Sequence, residues 1–290
     1  MSVFIMKLIA VTSMVIDHLG YFLFPRFTSQ TVYFIMRSIG RTAFPIYCFL
    51  IVNGYEKTHD VKRYLSRLIL FALVSQIPFV MCFDANPFPS GGGIHYALSC
   101  RWFVGLLMIP VVAVGWYCTV RKDASVLLPV LALTAGVSLL DFGGVRILSD
   151  ELNVFYTLAL GLACVAVLDS ALKPQRDMVK LLMQVLMLVC ALYLIQNNAD
   201  YRLPGVALIV CIWLARRSRL AQIAVILLWC VVEYILDSFP IYYFLCAALS
   251  ILPVFLYNGK LGRPLKLAFY LIYPIHLFIL GILTVHFTLV

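Results

Sequence analysis

Long apolar runs follow one another along the chain and are separated by short polar or basic segments. An α-helix crosses about 30 Å of hydrocarbon with roughly 20 apolar residues, and most of these runs are about that long. The pattern therefore predicts about eleven transmembrane helices. We expect them near residues 4–24, 31–55, 62–83, 101–119, 125–141, 152–169, 178–196, 203–215, 220–237, 240–257 and 266–288. The run at 203–215 is short, which indicates a tilted or broken helix.

The composition supports a membrane protein. The chain has 290 residues, of which 63% are hydrophobic and 12% are charged, whereas soluble domains carry about 25% charged residues. A soluble protein of this length could not bury so much apolar surface. Since no internal repeat or linker stands out, we expect residues 1–290 to form a single all-α transmembrane domain, a polytopic helix bundle of about 10–11 helices.

The basic residues indicate the orientation of the chain. If the N-terminus is cytoplasmic, 16 of the 22 Lys and Arg residues fall in inner segments. By the positive-inside rule, this alternation predicts a cytoplasmic N-terminus and an outer C-terminus. The net charge of +9 then reflects topology and contact with anionic membrane lipid, and not nucleic-acid binding. Asp17 and His18 lie inside the first run and no cleavage site follows, so we expect a retained helix and not a signal peptide.

A Gly- and Pro-rich segment at 84–100 predicts an outer loop, either a plain connector or a lid. None of the nine cysteines forms a CxxC pair, and most lie inside apolar runs. Their pattern is typical of small buried residues. Cys82 and Cys100 flank the same outer loop, so a disulfide between them is one expectation.

Asp17 and His18 are ionisable groups in the first predicted span. His18 lies about 20 Å along that helix, close to the middle of the membrane. Adjacent residues point about 100° apart on a helix, so each of the two needs a partner from another helix. The alternatives are a functional site and two polar groups that only tie helices together.

Arg37 and Arg41 lie four residues apart on the second predicted span and share one helix face. Asp17 can pair with one of them. The other either holds an anionic ligand or extends its charge towards the membrane surface.

Tyr273 and His276 share a face of the last span, and Pro274 between them permits a local kink. A kinked core helix with a hydrogen-bonded His276 is the alternative to a functional role. Weaker polar candidates in or near spans are Asn53, Gln76, Asn153 and Glu233.

Arg63 and Arg67 lie at the inner end of the third span, where the positive-inside rule alone explains them. A cytosolic ligand rich in phosphate could also use them. The histidines and Asp17 are too few for a metal site, which usually needs three or four ligands. We therefore expect no metal.

Several motifs, in order along most of the chain, resemble the TraX family. They are IAVTSMVIDHLG at 9–20, RSIGRTAFPI at 37–46, YLSRL at 64–68, SQIPF at 75–79, LNVFYTL at 152–158, DY at 200–201, PGV at 204–206 and FYLIYPIHL at 269–277. About seventy residues separate SQIPF from NVF, and family members often have a much shorter connection. An added outer loop and helix pair would change the shape of the acceptor side, and with it the identity of the substrate.

The resemblance implies a bacterial inner-membrane enzyme. The family is named for a pilin acetylase that acetylates the N-terminus of pilin, and it is grouped with the transmembrane acyl transferases, including the acyltransferase-3 enzymes. Those enzymes use cytosolic acetyl-CoA. They carry an R/K-x(10)-H motif on an early helix, and Lys7 and His18 have that spacing.

Under this resemblance, His18 is the general base or the acetyl carrier, with Asp17, Tyr273 and His276 in the same catalytic site. Lys7, Arg37, Arg41, Arg63 and Arg67 are then expected to bind acetyl-CoA, the donor substrate. The acceptor stays open between a peptide N-terminus, a glycan, a lipid and a small molecule, and the oligomeric state also stays open. The alternative function is a transporter or flippase that uses the same polar residues without chemistry.

Overall fold

The structure is a computed structural model that describes residues 1–24, 27–83, 141–142, 145–146, 152–173, 199–236, 241–263 and 265–289, with isolated positions between 178 and 192. Its long elements are α-helices, as the hydrophobic pattern predicts. They are α1 (Val3–Leu23), α2 (Gln30–Gly40), α3 (Ala43–Lys57), α4 (Val61–Phe83), α5 (Val154–Ala171), α6 (Arg202–Leu214), α7 (Arg219–Leu236), α8 (Ile241–Ala248), α9 (Ile251–Phe255) and α10 (Lys266–Leu289).

Three helical stretches of the described chain are long and apolar enough to cross a membrane. They are α1, α2 with α3 taken together, and α5. This agrees with the predicted all-α membrane bundle. The predicted span at 101–119 and most of that at 125–141 lie outside the described residues, whereas the described positions of 178–196 are helical. The number of spans and the absolute orientation stay predictions.

The second predicted span is not one helix. It breaks at Arg41 and Thr42, whose backbone N–H groups bond the carbonyls of Ser38 and Ile39 in tight turns. Pro45 explains the break, because proline has no N–H to donate and its ring crowds the carbonyl four residues earlier, that of Arg41. The span predicted at 31–55 therefore consists of two helices, which together are long and apolar enough to cross a membrane.

The tenth predicted span is divided in the same way, into α8 and α9. Here Pro253 has no N–H to donate to the carbonyl of Leu249, which accepts instead from the N–H of Leu252 over 3.1 Å. At the end of the fifth predicted span, Asp141–Phe142 (β1) pairs antiparallel with Val145–Arg146 (β2). Cys82 carries a buried free thiol and does not form the expected disulfide; Cys100 lies outside the described residues.

The contacts at the helix ends place several basic segments on one side of the bundle. The backbone N–H groups of Val3 and Phe4 donate to the carbonyls of Lys260 and Leu261 over 3.0 and 3.1 Å. Lys57 donates to the carbonyl of Gly259 over 3.0 Å. On the same side, the guanidinium of Arg216 lies 3.6 Å from the carboxylate of Glu56. The start of α1, the end of α3, the end of α6 and the loop before α10 thus lie on one side of the bundle. The distribution of basic residues predicts the same grouping.

Asn153 joins α4 to α5. Its side-chain oxygen caps α5 by accepting from the N–H of Phe155 at 3.1 Å. Its amide nitrogen donates to the Ala72 carbonyl at 2.7 Å and to Oε1 of Gln76 at 2.8 Å. Both side chains are buried. Two of the four weak polar candidates from the sequence, Gln76 and Asn153, therefore hold two helices together.

We predict that Asn153→Ala lowers the free energy of unfolding by about 2 kcal/mol, because it removes a helix cap and leaves buried partners without hydrogen bonds. The measurement is the loss of monodisperse protein on heating in detergent. Asn258→Ala is the control, because the Asn258 side chain also accepts from a backbone N–H, that of Lys260, but in an exposed loop. Equal shifts of the two melting temperatures would contradict the assignment.

Candidate functional site

Helices α1 and α2 approach each other closely at Gly40 and Asp17. A Cβ atom placed on Gly40 would lie 2.2 Å from the Cβ atom of Asp17 and 2.2 Å from its Oδ1. No side chain fits at such distances, and α2 ends at this residue. Glycine at position 40 therefore lets the Asp17 carboxylate reach the end of α2, where the two arginines are.

Asp17 is held mainly by Arg37. Nη1 of Arg37 donates to Oδ2 of Asp17 over 2.5 Å, and Nη2 of Arg41 lies 3.9 Å from Oδ1. Only 7% of Asp17 is exposed. A carboxylate this deep in an apolar bundle is stable only when it is paired, and the paired charge also orients the arginines.

A second carboxylate, Asp200, interacts electrostatically with Arg41 and Arg37. From the sequence, the second arginine was expected either to hold an anionic ligand or to extend its charge towards the membrane surface, and Asp200 had no predicted role. With both carboxylates ionised, the two acids and two arginines carry no net charge. The signal in the sequence was the DY pair just before the short run at 203–215.

The segment that carries Asp200 is not helical, and it descends to the level of this charge cluster. The hydroxyl of Thr157 donates to the carbonyl of Asp200, and the ring of Tyr201 stacks on Phe44 with centroids 3.7 Å apart. Tyr201 and Arg202 have positive φ angles of 61° and 40°. Asp200 itself is exposed. Non-helical backbone at membrane depth is tolerated where it packs on protein, as Tyr201 packs on Phe44 here.

His18 pairs with His276 of α10. Nδ1 of His18 lies 2.7 Å from Nε2 of His276, and Nδ1 of His276 lies 2.7 Å from the carbonyl oxygen of Ile272. His18 Nε2 lies 3.9 Å from Asp17 Oδ2. The adjacent Asp17 and His18 thus reach different helices, as their angular separation predicts. Pro274 lies inside α10 between Tyr273 and His276.

Tyr273 stands beside both histidines. The centroid of its ring is 6.1 Å from that of His18 and 5.7 Å from that of His276. It is also one of the residues that line a cavity of about 280 Å³. The cavity extends from Tyr273 and Met14 to Lys57, between α1, α3, α4, α5 and α10. Tyr273 therefore connects the cavity to the histidine pair.

The far end of this cavity is basic. Lys7, Lys57 and Arg67 line it, together with the polar side chains of Asn53 and Tyr64. Lys57 also donates to the hydroxyl of Tyr257 over 2.7 Å. Helix geometry places Lys7 about 16 Å from His18 along α1. The basic end of the cavity thus lies at one side of the bundle, and the histidine pair lies near the middle of the bundle.

The structure divides the residues predicted from the sequence into two groups. Asp17, His18, Arg37, Arg41, Tyr273 and His276 gather in one central cluster. Lys7 and Arg67 line the cavity below it, whereas Arg63 is exposed one turn before Arg67. Lys57 also lines the cavity but was not predicted as a binding residue, because the positive-inside rule already explains a lysine at the end of a helix. Within the described part of the chain, no group of three or more His, Cys, Asp or Glu residues could hold a metal ion.

Comparison with known proteins gives a family profile over most of the chain and two curated relatives over about a quarter of it. A family profile described as "TraX protein" matches residues 2–145 and 127–284. The chain is 38% identical over 74 residues to the uncharacterized protein RP591 of Rickettsia prowazekii (strain Madrid E), a stretch that is 25% of each chain. It is 32% identical over 78 residues to the probable fimbrial assembly protein FimC, serogroup H1, of Dichelobacter nodosus, which is 27% of this chain and 31% of that protein. No solved structure matches the chain.

We predict that Gly40→Ala displaces Asp17 from the arginines and lowers the free energy of unfolding by about 1–3 kcal/mol, as overpacking at a close contact does. Thermal melting in detergent measures the effect. Ile39→Ala, at the exposed neighbouring position, is the control and should melt near the wild type. If Gly40→Ala also melts like the wild type, α1 and α2 do not approach at Gly40 as described.

Proposed function

The chain belongs to the TraX family, and we propose that it is a membrane-embedded acetyltransferase that transfers an acetyl group from cytosolic acetyl-CoA to an amine or hydroxyl acceptor. The relative named as a probable fimbrial assembly protein favours a role in pilus-related processes. The bacterial inner membrane is the location that suits a cytosolic donor.

The basic cavity that ends at Tyr273 is the observation that carries this proposal. Lys7, Lys57 and Arg67 would bind the phosphate groups of acetyl-CoA, since cationic side chains form strong hydrogen bonds to phosphate. The apolar and aromatic walls of the cavity would hold the arm of the donor. The acetyl thioester would then lie beside Tyr273, next to His18.

Arg37 and Arg41 do not share this cavity in our proposal. They were expected to bind the donor, but their partner is Asp17 and they lie with the central charge cluster. In that place they suit a second role, which is to stabilise negative charge that develops on the thioester oxygen during transfer. This is the role that we propose for them.

In the proposed reaction, His18 acts as general base. It takes the proton from the acceptor N–H or O–H as the acceptor atom attacks the carbonyl carbon of the thioester. The carbon–sulfur bond then breaks, and the proton passes from His18 to the departing sulfur. The products are the acetylated acceptor and free CoA, and His18 returns to its neutral form.

The acceptor would enter from the other side of the bundle. We propose the segment that carries Asp200 as the acceptor's entrance, because Asp200 is exposed, interacts electrostatically with Arg41 and is not among the residues that line the basic cavity. Such an arrangement lets a donor and an acceptor meet near mid-membrane without either crossing it. A peptide N-terminus, a glycan, a lipid and a small molecule all remain candidate acceptors.

Binding of acetyl-CoA to purified protein in nanodiscs tests the donor site. We expect Arg67→Gln to weaken binding about tenfold, which corresponds to the loss of one charge-assisted hydrogen bond. Arg63→Gln is a matched control because Arg63 is exposed on the same helix. Isothermal titration calorimetry measures both. If folded wild-type protein binds no acetyl-CoA, the donor assignment fails and a transporter becomes the better explanation.

A transfer experiment tests the chemistry. Inverted membrane vesicles that contain the protein are given acetyl-CoA with a radiolabelled acetyl group, and the label incorporated into envelope material is counted. We expect His18→Ala to lower incorporation about 10²-fold or more, as the loss of a general base does, while acetyl-CoA binding is retained. Equal incorporation in the two proteins would exclude His18 as the base.

A further inference from the structure

The hydrogen bonds of His276 determine which nitrogen of His18 carries a proton. A carbonyl oxygen can only accept, so the 2.7 Å contact with Ile272 places a proton on Nδ1 of His276. In a neutral imidazole, Nε2 of His276 is then the acceptor. The 2.7 Å contact with His18 therefore requires a proton on Nδ1 of His18.

The relative orientation of the two rings supports a hydrogen bond between them. Their planes differ by 11° and their centroids are 5.0 Å apart. With two nitrogens only 2.7 Å apart, these values describe rings that lie nearly in one plane and meet edge to edge. The lone pair of a ring nitrogen lies in the plane of its ring, so this arrangement aligns the donor with the acceptor.

We propose that His276 is a positioning residue that holds His18 in the Nδ1–H tautomer and so leaves the lone pair on Nε2 of His18 as the reactive base. This inference rests on the proposed function for its catalytic meaning, but the tautomer itself does not. His276 cannot be the base, because both of its ring nitrogens are engaged. Within the described residues, Nε2 of His18 has no hydrogen-bond partner.

The same chain of bonds stabilises the protonated state of His18. When Nε2 takes a proton from the acceptor, the bond from Nδ1 to His276 becomes charge-assisted and stronger. Oδ2 of Asp17, 3.9 Å from Nε2, faces the new positive charge. Because Arg37 occupies that carboxylate oxygen, Asp17 acts on the charge from a distance and leaves the proton on His18.

Two substitutions at position 276 separate positioning from packing. In His276→Gln, the amide N–H can donate to the Ile272 carbonyl, and this directs the amide oxygen to accept from Nδ1 of His18. In His276→Leu, a side chain of similar size offers no acceptor. Both variants fill the space beside Tyr273, so a role in packing alone predicts that they behave alike.

The first readout is ¹⁵N NMR of protein labelled at histidine in nanodiscs, with the His18 signals identified by their loss in His18→Gln. The spectra are recorded at a pH where the imidazole of His18 is neutral and carries one ring proton. We expect a protonated Nδ1 and an unprotonated Nε2 in the wild type and in His276→Gln, and a shift towards a protonated Nε2 in His276→Leu. A protonated Nε2 in the wild type, or the same tautomer in all three proteins, would overturn the inference.

The second readout is the transfer of label from acetyl-CoA. We expect His276→Leu to lower the maximal rate about 10²-fold without changing acetyl-CoA binding, and His276→Gln to recover most of that rate. Equal rates in His276→Leu and His276→Gln would overturn the catalytic meaning of the relay. If the wild type transfers no acetyl group, the proposed function fails while the NMR result still decides the tautomer.

Discussion

The pairing of Asp17 with Arg37 is the interaction on which the rest of this site depends. A carboxylate or guanidinium left alone at this depth in an apolar bundle would be strongly unfavourable, so the two must meet. Several local features make the meeting possible. Gly40 removes the side chain that would keep α1 and α2 apart, and Pro45 ends α2 so that Arg41 also turns towards the carboxylate.

Asp17 contacts Arg37 of α2, and the adjacent His18, which points in another direction on α1, contacts His276 of α10. Two adjacent residues on one helix thus contact two different helices, and the space between those helices becomes the site. Tyr273 lies where this space meets the basic cavity, with its ring packed at 5.0 Å from that of Phe155. The contacts of one helix therefore organise the charge cluster, the histidine pair and the end of the cavity.

The non-helical segment before α6 adds a second carboxylate, that of Asp200, to this arrangement. Backbone in a positive-φ conformation at two successive residues other than glycine costs free energy, and stacking of Tyr201 on Phe44 helps to hold it. Its position brings Asp200 to the arginines.

The sequence by itself determined the fold class, because apolar runs of membrane-spanning length need only be counted, and a lipid environment leaves the helix as the natural state for each of them. It also identified Asp17, His18, Arg37, Arg41, Tyr273 and His276, because ionisable residues are costly inside such runs and therefore conspicuous. Nothing in a linear pattern says which helix lies beside which. For that reason, only the tertiary structure decided that His18 meets His276, that Asp200 is the second carboxylate, and that Lys57 and Arg67 share a cavity. The hydrogen bond between His18 and His276, which lie 258 positions apart, also sets the tautomer of His18, and such a bond depends on distances of a few tenths of an ångström that helix packing alone provides.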